Sequence, residues 1–243
     1  MSINTSVPPP YAHQTDTTTF ITDHPRCFIT SDPGTGKTRS VLDAHVLLNC
    51  TTLVLAPLSI LEAAWLDDIK KFQPTINCGV AYAKNRKKIF EDKTFDMVVT
   101  NFEAVTYLVK NPEVLERFDT LVVDEFTAFK NKDSKRSKNL KTLVDNFDRR
   151  IFMSGTPNSN TILDLWHPAL CVDDGKRLGN RFYSFRNQVC TSRFNGFANE
   201  WIDKPGIEET VAQMLSDITI RHALEDCIDL PKNIVRTLYT DLY

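Results

Sequence analysis

The 243 residues, 42% hydrophobic and 25% charged, have the composition of an ordinary globular protein and enough length to bury a sizeable core. A net charge of −2 excludes a polycation that holds nucleic acid by bulk charge, though not a local basic face. No C-x-x-C pair occurs among the cysteines and no apolar run is long enough to cross a membrane, so the common zinc and redox motifs and a membrane partner are not expected.

Pro8-Pro9-Pro10 closes an extended lead-in. Short β-rich runs then predict strands over 27–31, 52–56, 78–82, 96–100, 120–124 and 150–154, with helices over 37–49, 60–72, 102–109 and 137–147 between them. Leu53-Val54-Leu55-Ala56 and Leu121-Val122-Val123 are apolar without alternation, the pattern of parallel strands covered on both faces. Strand and helix in alternation predict an α/β fold with a parallel sheet flanked by helices, whose ligands bind beyond the carboxyl ends of the strands. After residue 160 the character changes to helical patterns over 161–170, 181–190 and 207–218, and Asn195-Gly196 signals a hairpin turn. The expected division is a nucleotide-binding lobe over 1–160 and a mostly helical extension over 161–243.

Between the first strand and the helix after it lies Ser31-Asp32-Pro33-Gly34-Thr35-Gly36-Lys37-Thr38. Glycines let successive backbone N–H groups converge on phosphate oxygens, and the helix N-terminus adds its positive dipole end. Lys37 is expected to reach the β- and γ-phosphates of a nucleoside triphosphate and the Thr38 hydroxyl to bind Mg²⁺. Pro33, Gly34, Thr35 and Gly36 form the cradle, and Arg39 is counted among the nucleotide contacts. The general pattern has glycine where Ser31 stands. A glycine-rich turn that merely caps a helix is the plainer alternative, and the strand–loop–helix order weighs against it.

Asp124-Glu125 ends an apolar strand. An aspartate there can hold Mg²⁺, and its glutamate neighbour can polarise the attacking water. Alone such a pair is weak evidence; beside a phosphate loop it reads as catalytic, with Lys37, Asp124 and Glu125 as the catalytic set. Two basic runs, Lys84 to Lys88 and Lys130 to Lys141, are either solvated faces or phosphate contacts. Trp65 and Trp166 have the helical spacing of core residues, and the five histidines show no metal-ligand spacing.

In this order the motifs resemble the first RecA-like lobe of superfamily-two helicase-type ATPases, and within them the SWI/SNF-like group. Pro10-Tyr11-Ala12-His13-Gln14 is similar to the adenine-recognition motif, which implies Tyr11 and Gln14 at the base. Leu55-Ala56-Pro57-Leu58-Ser59 through Trp65 to Lys70-Lys71-Phe72 resembles that group's P-x-S-L-x-x-x-W-x-x-E-I-x-K-F segment, and Thr100-Asn101-Phe102-Glu103 its T-x-Y-E motif. Asp124-Glu125-Phe126-Thr127-Ala128-Phe129-Lys130-Asn131 resembles D-E-A-H-x-I-K-N. Ser154-Gly155-Thr156-Pro157-Asn158-Ser159-Asn160 resembles the motif coupling hydrolysis to DNA engagement. Arg221 through Asp229-Leu230-Pro231-Lys232 resembles the passage into the second lobe.

The resemblance implies ATP and Mg²⁺ as cofactors, with Thr38 and Asp124 at the metal and Ser154, Gly155 and Thr156 in coupling. It implies sequence-independent contacts to the backbone of double-stranded DNA from Pro57, Leu58, Ser59, Asn101, Phe102, Lys130 and Asn131. The family histidine is Thr127 here, so coupling is expected to differ in detail. A second RecA-like lobe, which the family needs for hydrolysis, is absent from this chain, and the fragment alone is expected to be nearly inactive. A monomer in the cytoplasm (the host's, if the source is viral) is the expected setting, and the compact build resembles bacteriophage or bacterial members.

Overall fold

The computed structural model describes residues 7–156, 160–194, 196–197 and 199–227. Strands β1 (Arg26–Ile29), β2 (Thr52–Ala56), β3 (Cys78–Ala81), β4 (Met97–Asn101), β5 (Thr120–Asp124) and β6 (Arg149–Met153) fall within a residue or two of the predicted runs. With β9 (Thr219–Ile220) they form a seven-stranded sheet in the order β3-β4-β2-β5-β6-β1-β9. All its pairings are parallel. A separate antiparallel pair, β7 (Cys190–Phe194) with β8 (Asn199–Asp203), is the predicted hairpin; Asn195 of its turn lies outside the described residues.

The helices are α1 (Ala12–Asp23), α2 (Lys37–Leu48), α3 (Asp67–Phe72), α4 (Arg86–Glu91), α5 (Ala104–Lys110), α6 (Lys135–Val144), α7 (Trp166–Asp173), α8 (Phe182–Val189) and α9 (Ile207–Leu215). Successive residues of the central strands feed opposite faces of the sheet. Val54 and Ala56 pack with Leu42 of α2 and Ile21 of α1, whereas Leu53 and Leu55 pack with Leu108 of α5 and Leu140 of α6. Ala169 of α7, Phe185 of α8 and Leu215 of α9 join the second of these cores. Two buried faces explain why β2 and β5 carry no alternation.

The strand order places the ends of β5, β6 and β1 side by side. The chain crosses from β1 through α2 to β2 on the far side of β5 and β6. That reversal leaves a crevice at the carboxyl ends of the strands, the usual ligand position in such sheets.

Candidate functional site: a phosphate loop facing an acidic pair

The phosphate loop leaves β1 and enters α2 through Gly36, whose φ of 80° is left-handed, as is the 85° of Gly34. Gly36 is also sterically required, because a Cβ there would stand 2.2 Å from Gln14 Nε2. Lys37 Nζ donates to the carbonyls of Ser31 at 2.8 Å and Asp32 at 3.0 Å. Its side chain thus folds back across the start of the loop. Thr38 follows in the first turn of α2, half-buried.

The N-terminal motif braces this loop from behind. Gln14 Nε2 donates to Thr35 O at 3.2 Å, and His13 Nε2 donates to the same carbonyl at 2.8 Å. Gln14 Oε1 accepts from Tyr11 N at 3.1 Å, closing the first turn of α1. The Gln14 amide is thus engaged at both ends, while Tyr11 is 61% exposed and stacked on His13 at 5.7 Å. Arg39 is turned into the fold: it is 5% exposed and pairs with Asp43 at 3.0 Å. It also donates to Pro8 O at 3.0 Å and lies over the Phe72 ring. Its guanidinium is engaged in anchoring the lead-in rather than turned to the loop.

Asp124 ends β5, buried, and accepts a hydrogen bond from Trp65 Nε1 at 3.0 Å. Trp65 is fully buried within a π-helical turn, Leu61–Leu66, a local rewinding that is common at functional sites. Fifty-nine residues separate the two in sequence, so core spacing was visible at Trp65 and its orienting role was not. Burial raises the Asp124 carboxyl from 3.8 to about 6, against the Trp65 hydrogen bond and with the Glu125 charge adding to the rise. Burial also lowers Lys37, against the pull of Asp124, Glu125 and Asp32. Both groups are therefore pushed toward neutrality by desolvation that their mutual attraction does not offset.

Glu125 adopts a left-handed backbone, φ 60°, uncommon for a non-glycine residue and characteristic of functional sites. Its Oε1 accepts from Thr127 Oγ1 and Ser154 Oγ, each at 2.6 Å. Ser154 Oγ in turn accepts from Thr156 N at 3.0 Å. Thr127, where the resemblance has histidine, thus holds the glutamate directly. Gly155 lies against the phosphate loop, since a Cβ on it would meet Pro33 Cγ at 2.7 Å. Pro157, Asn158 and Ser159 of that motif lie outside the described residues, as do Asp229 through Lys232.

The remaining predicted residues also lie at carboxyl ends of strands. Pro57, Leu58 and Ser59 follow β2, and Leu58 is 57% exposed. Asn101 ends β4 and accepts from Arg86 at 3.1 Å. Phe102 is buried against Phe129, ring centres 5.0 Å apart, so its side chain is turned into the core. Lys130 pairs with Asp164 at 3.0 Å, and Asn131 is exposed beside it. Arg136 of α6 reaches Glu103 at 2.6 Å.

The SNF2-related domain model matches residues 11–243, nearly the whole chain. The chain belongs to the SNF2-related domain family. "Putative protein p41" of Acyrthosiphon pisum secondary endosymbiont phage 1 is 27% identical over 258 residues, covering 99% of this chain and 55% of that protein. An uncharacterized ATP-dependent helicase of Mycoplasma pneumoniae is 32% identical over 146 residues, covering 57% of this chain and 14% of that protein. The Sulfolobus solfataricus SWI2/SNF2 ATPase core solved in complex with dsDNA superposes with a TM-score of 0.73 at 22% identity, over 92% of this chain and 46% of that one. This SNF2-related chain thus spans about half the length of the phage relative and of the solved ATPase core.

The architecture expected from the sequence, a RecA-like parallel sheet flanked by helices, is the one that superposes on the SWI2/SNF2 core.

Proposed function

We propose that the chain is the ATP-binding lobe of a DNA-dependent ATPase that moves along duplex DNA. The observation that carries this reading is the convergence of Lys37, Asp124, Glu125 and Ser154 at three adjacent strand ends, with Lys37 and Asp124 desolvated and both pushed toward neutrality. A triphosphate adds to the negative charge around Lys37 and offsets its desolvation. A divalent cation supplies the positive charge that stabilises an ionised Asp124.

Thr38 and Asp124 would hold the Mg²⁺. A hydroxyl and one carboxylate, completed by phosphate oxygens and water, fit what that ion takes. When bound, the ion neutralises the charge that builds on the phosphates. Glu125 orients the attacking water, and its two hydroxyl donors fix the carboxylate. Adenine lies beside the exposed Tyr11, with Gln14 and His13 holding the loop beneath. Ser154 and Thr156 connect Glu125 to the loop that follows β6, so the state of the site is felt there.

The loops at Pro57–Ser59, Asn101 and Lys130–Asn131, with Leu58, Ser59 and Asn131 exposed and the others half-buried, support contacts to a DNA backbone. Such contacts orient the protein without reading sequence, and the affinity falls steeply with salt. Hydrolysis at speed needs an arginine from a second RecA-like lobe, which contributes on the order of 10³–10⁵ in rate in related phosphoryl transfers.

The test is ATP hydrolysis with and without duplex DNA, on this chain alone and on the chain joined to a second lobe. The expected result is slow turnover alone, DNA stimulation when joined, and loss of both with Lys37→Ala. DNA binding without any Lys37-dependent hydrolysis in the joined protein would favour a docking module and sink this reading.

A further inference from the structure

The passage that resembles the approach to a second lobe runs, over its described residues 221–227, against the body of the protein. It first crosses the phosphate loop. β9 adds to the edge of β1 with Thr219 opposite Phe28 and Ile220 opposite Ile29. The ladder continues past the strand ends, with Thr30 N donating to Ile220 O at 2.9 Å and Asp32 N donating to His222 O at 3.0 Å. His222 N donates to Ser31 Oγ at 3.0 Å. The Asp32 carboxylate accepts from Leu224 N at 3.1 Å and from Arg221 Nη2 at 3.2 Å. Leu224 covers Gly34, its Cδ1 lying 3.7 Å from where a Cβ would stand.

Two features give this strap a consequence for nucleotide binding. Asp32 puts a negative charge into a loop whose work is to hold phosphate, and its charge is felt at Lys37. Left free, that carboxylate would oppose the ligand; here Arg221 and the Leu224 amide take it up. Second, the Ser31 and Asp32 carbonyls are held by Lys37 Nζ. Once Lys37 turns to phosphate oxygens, those two hydrogen bonds are lost. The strap then holds the Ser31–Asp32 turn in their place.

We propose that Asp32 and Arg221 are positioning residues for ATP, and that the strap over 221–224 clasps the phosphate loop in its nucleotide-accepting shape. Nucleotide occupancy and strap docking are then linked. Each favours the other by the same factor, because coupling between two binding equilibria is reciprocal. Asp32 is the point at which the strap meets the loop. The inference rests on the proposed ATP site.

The experiment is ATP-Mg²⁺ binding by titration calorimetry on the full chain, with thermal melting in the absence of nucleotide, for the parent, Lys37→Ala, Asp32→Asn, Arg221→Ala and Arg221→Lys. Asp32→Asn is expected to weaken ATP binding roughly tenfold, the scale of a lost charge-assisted hydrogen bond. Arg221, whose side chain is 57% exposed, is expected to give about two- to fivefold on removal, most of it restored by lysine. Melting of the free protein should barely move. A second readout is amide exchange at His222 and Leu224, which ATP should slow in the parent and leave unchanged in Lys37→Ala.

Parent binding that ignores Lys37→Ala would overturn the ATP site itself, and the clasp with it. Lys37-dependent binding that is unchanged or strengthened by Asp32→Asn and Arg221→Ala would overturn the clasp alone, as would strap amides indifferent to ATP. Should Asp32→Asn fail to fold, Arg221→Ala and the exchange measurement carry the same decision.

Discussion

The two ends of the sheet treat buried charge in opposite ways. At the carboxyl end Asp124 and Lys37 are desolvated without full compensation, and both are displaced toward their neutral forms. At the amino end Arg150, 3% exposed, donates to Phe147 O, Cys171 O and Asp174 Oδ1, all within 3.0 Å. Arg26 closes on the other Asp174 oxygen at 2.5 Å. Burial alone would raise the Asp174 carboxyl, yet the hydrogen bonds from Arg150 and Arg26 outweigh it and hold it at about 2. One end has its charges satisfied by the protein. The other leaves Asp124 and Lys37 displaced toward neutrality despite their hydrogen bonds, which is the asymmetry that the proposed ATP site would use.

Four substitutions probe this contrast. Lys37→Ala should remove measurable ATP binding, at least about 100-fold by titration, since it deletes charge-assisted hydrogen bonds to phosphate in a desolvated pocket. Binding within a few-fold of the parent would erase the contrast. Arg150→Met keeps the buried stem but leaves two buried carbonyls without their donor. A stability loss of roughly 2–3 kcal/mol in urea unfolding is expected, with ATP affinity unaltered.

Asp124→Asn should act in the opposite direction. Because the native carboxyl titrates at about 6 instead of 3.8, the native state binds its proton more tightly than the unfolded chain. Ionising it therefore removes stability as pH rises from about 4 to 6. The asparagine variant is expected to be roughly 1–2 kcal/mol more stable at pH 7, a gain that vanishes below about pH 4, while ATP-Mg²⁺ binding is lost. By the same reasoning ATP-Mg²⁺ affinity of the parent should climb as pH passes through about 6.

Asp174→Asn should have the smallest effect. A carboxyl held low contributes stability above about pH 4 that is lost as pH falls toward its native value. Its side chain is 38% exposed, so solvent screening limits the loss to under about 1 kcal/mol. A measured gain in stability at pH 7 would show that the amino end, too, carries uncompensated charge.

Much of this was legible in the residues. The central strands β2 and β5 were readable because each is an apolar run with two covered faces, and the loop, acidic pair and Ser154 motif because their chemistry tolerates few residue types. The first helix was not legible. Its sequence, rich in β-branched threonine, argues against helix, yet Thr17 and Thr18 return their hydroxyls to the carbonyls four residues back, each at 2.8 Å. Buried on α2, that helix is imposed by packing. β9 was hidden for the same reason: two residues have no period, and only the exposed edge of β1 defines them as a strand.

Periodicity and motif spacing are local properties, and they were enough to specify six of the sheet's seven strands and the chemistry placed at their carboxyl ends. Tertiary structure alone decided which side chains meet: Trp65 with Asp124 across 59 residues, Thr127 and Ser154 on one oxygen of Glu125, Arg39 turned inward, and Arg221 on Asp32 across 189. Those pairings depend on strand order in space and on which groups lose water together, and neither is written in any stretch of neighbouring residues.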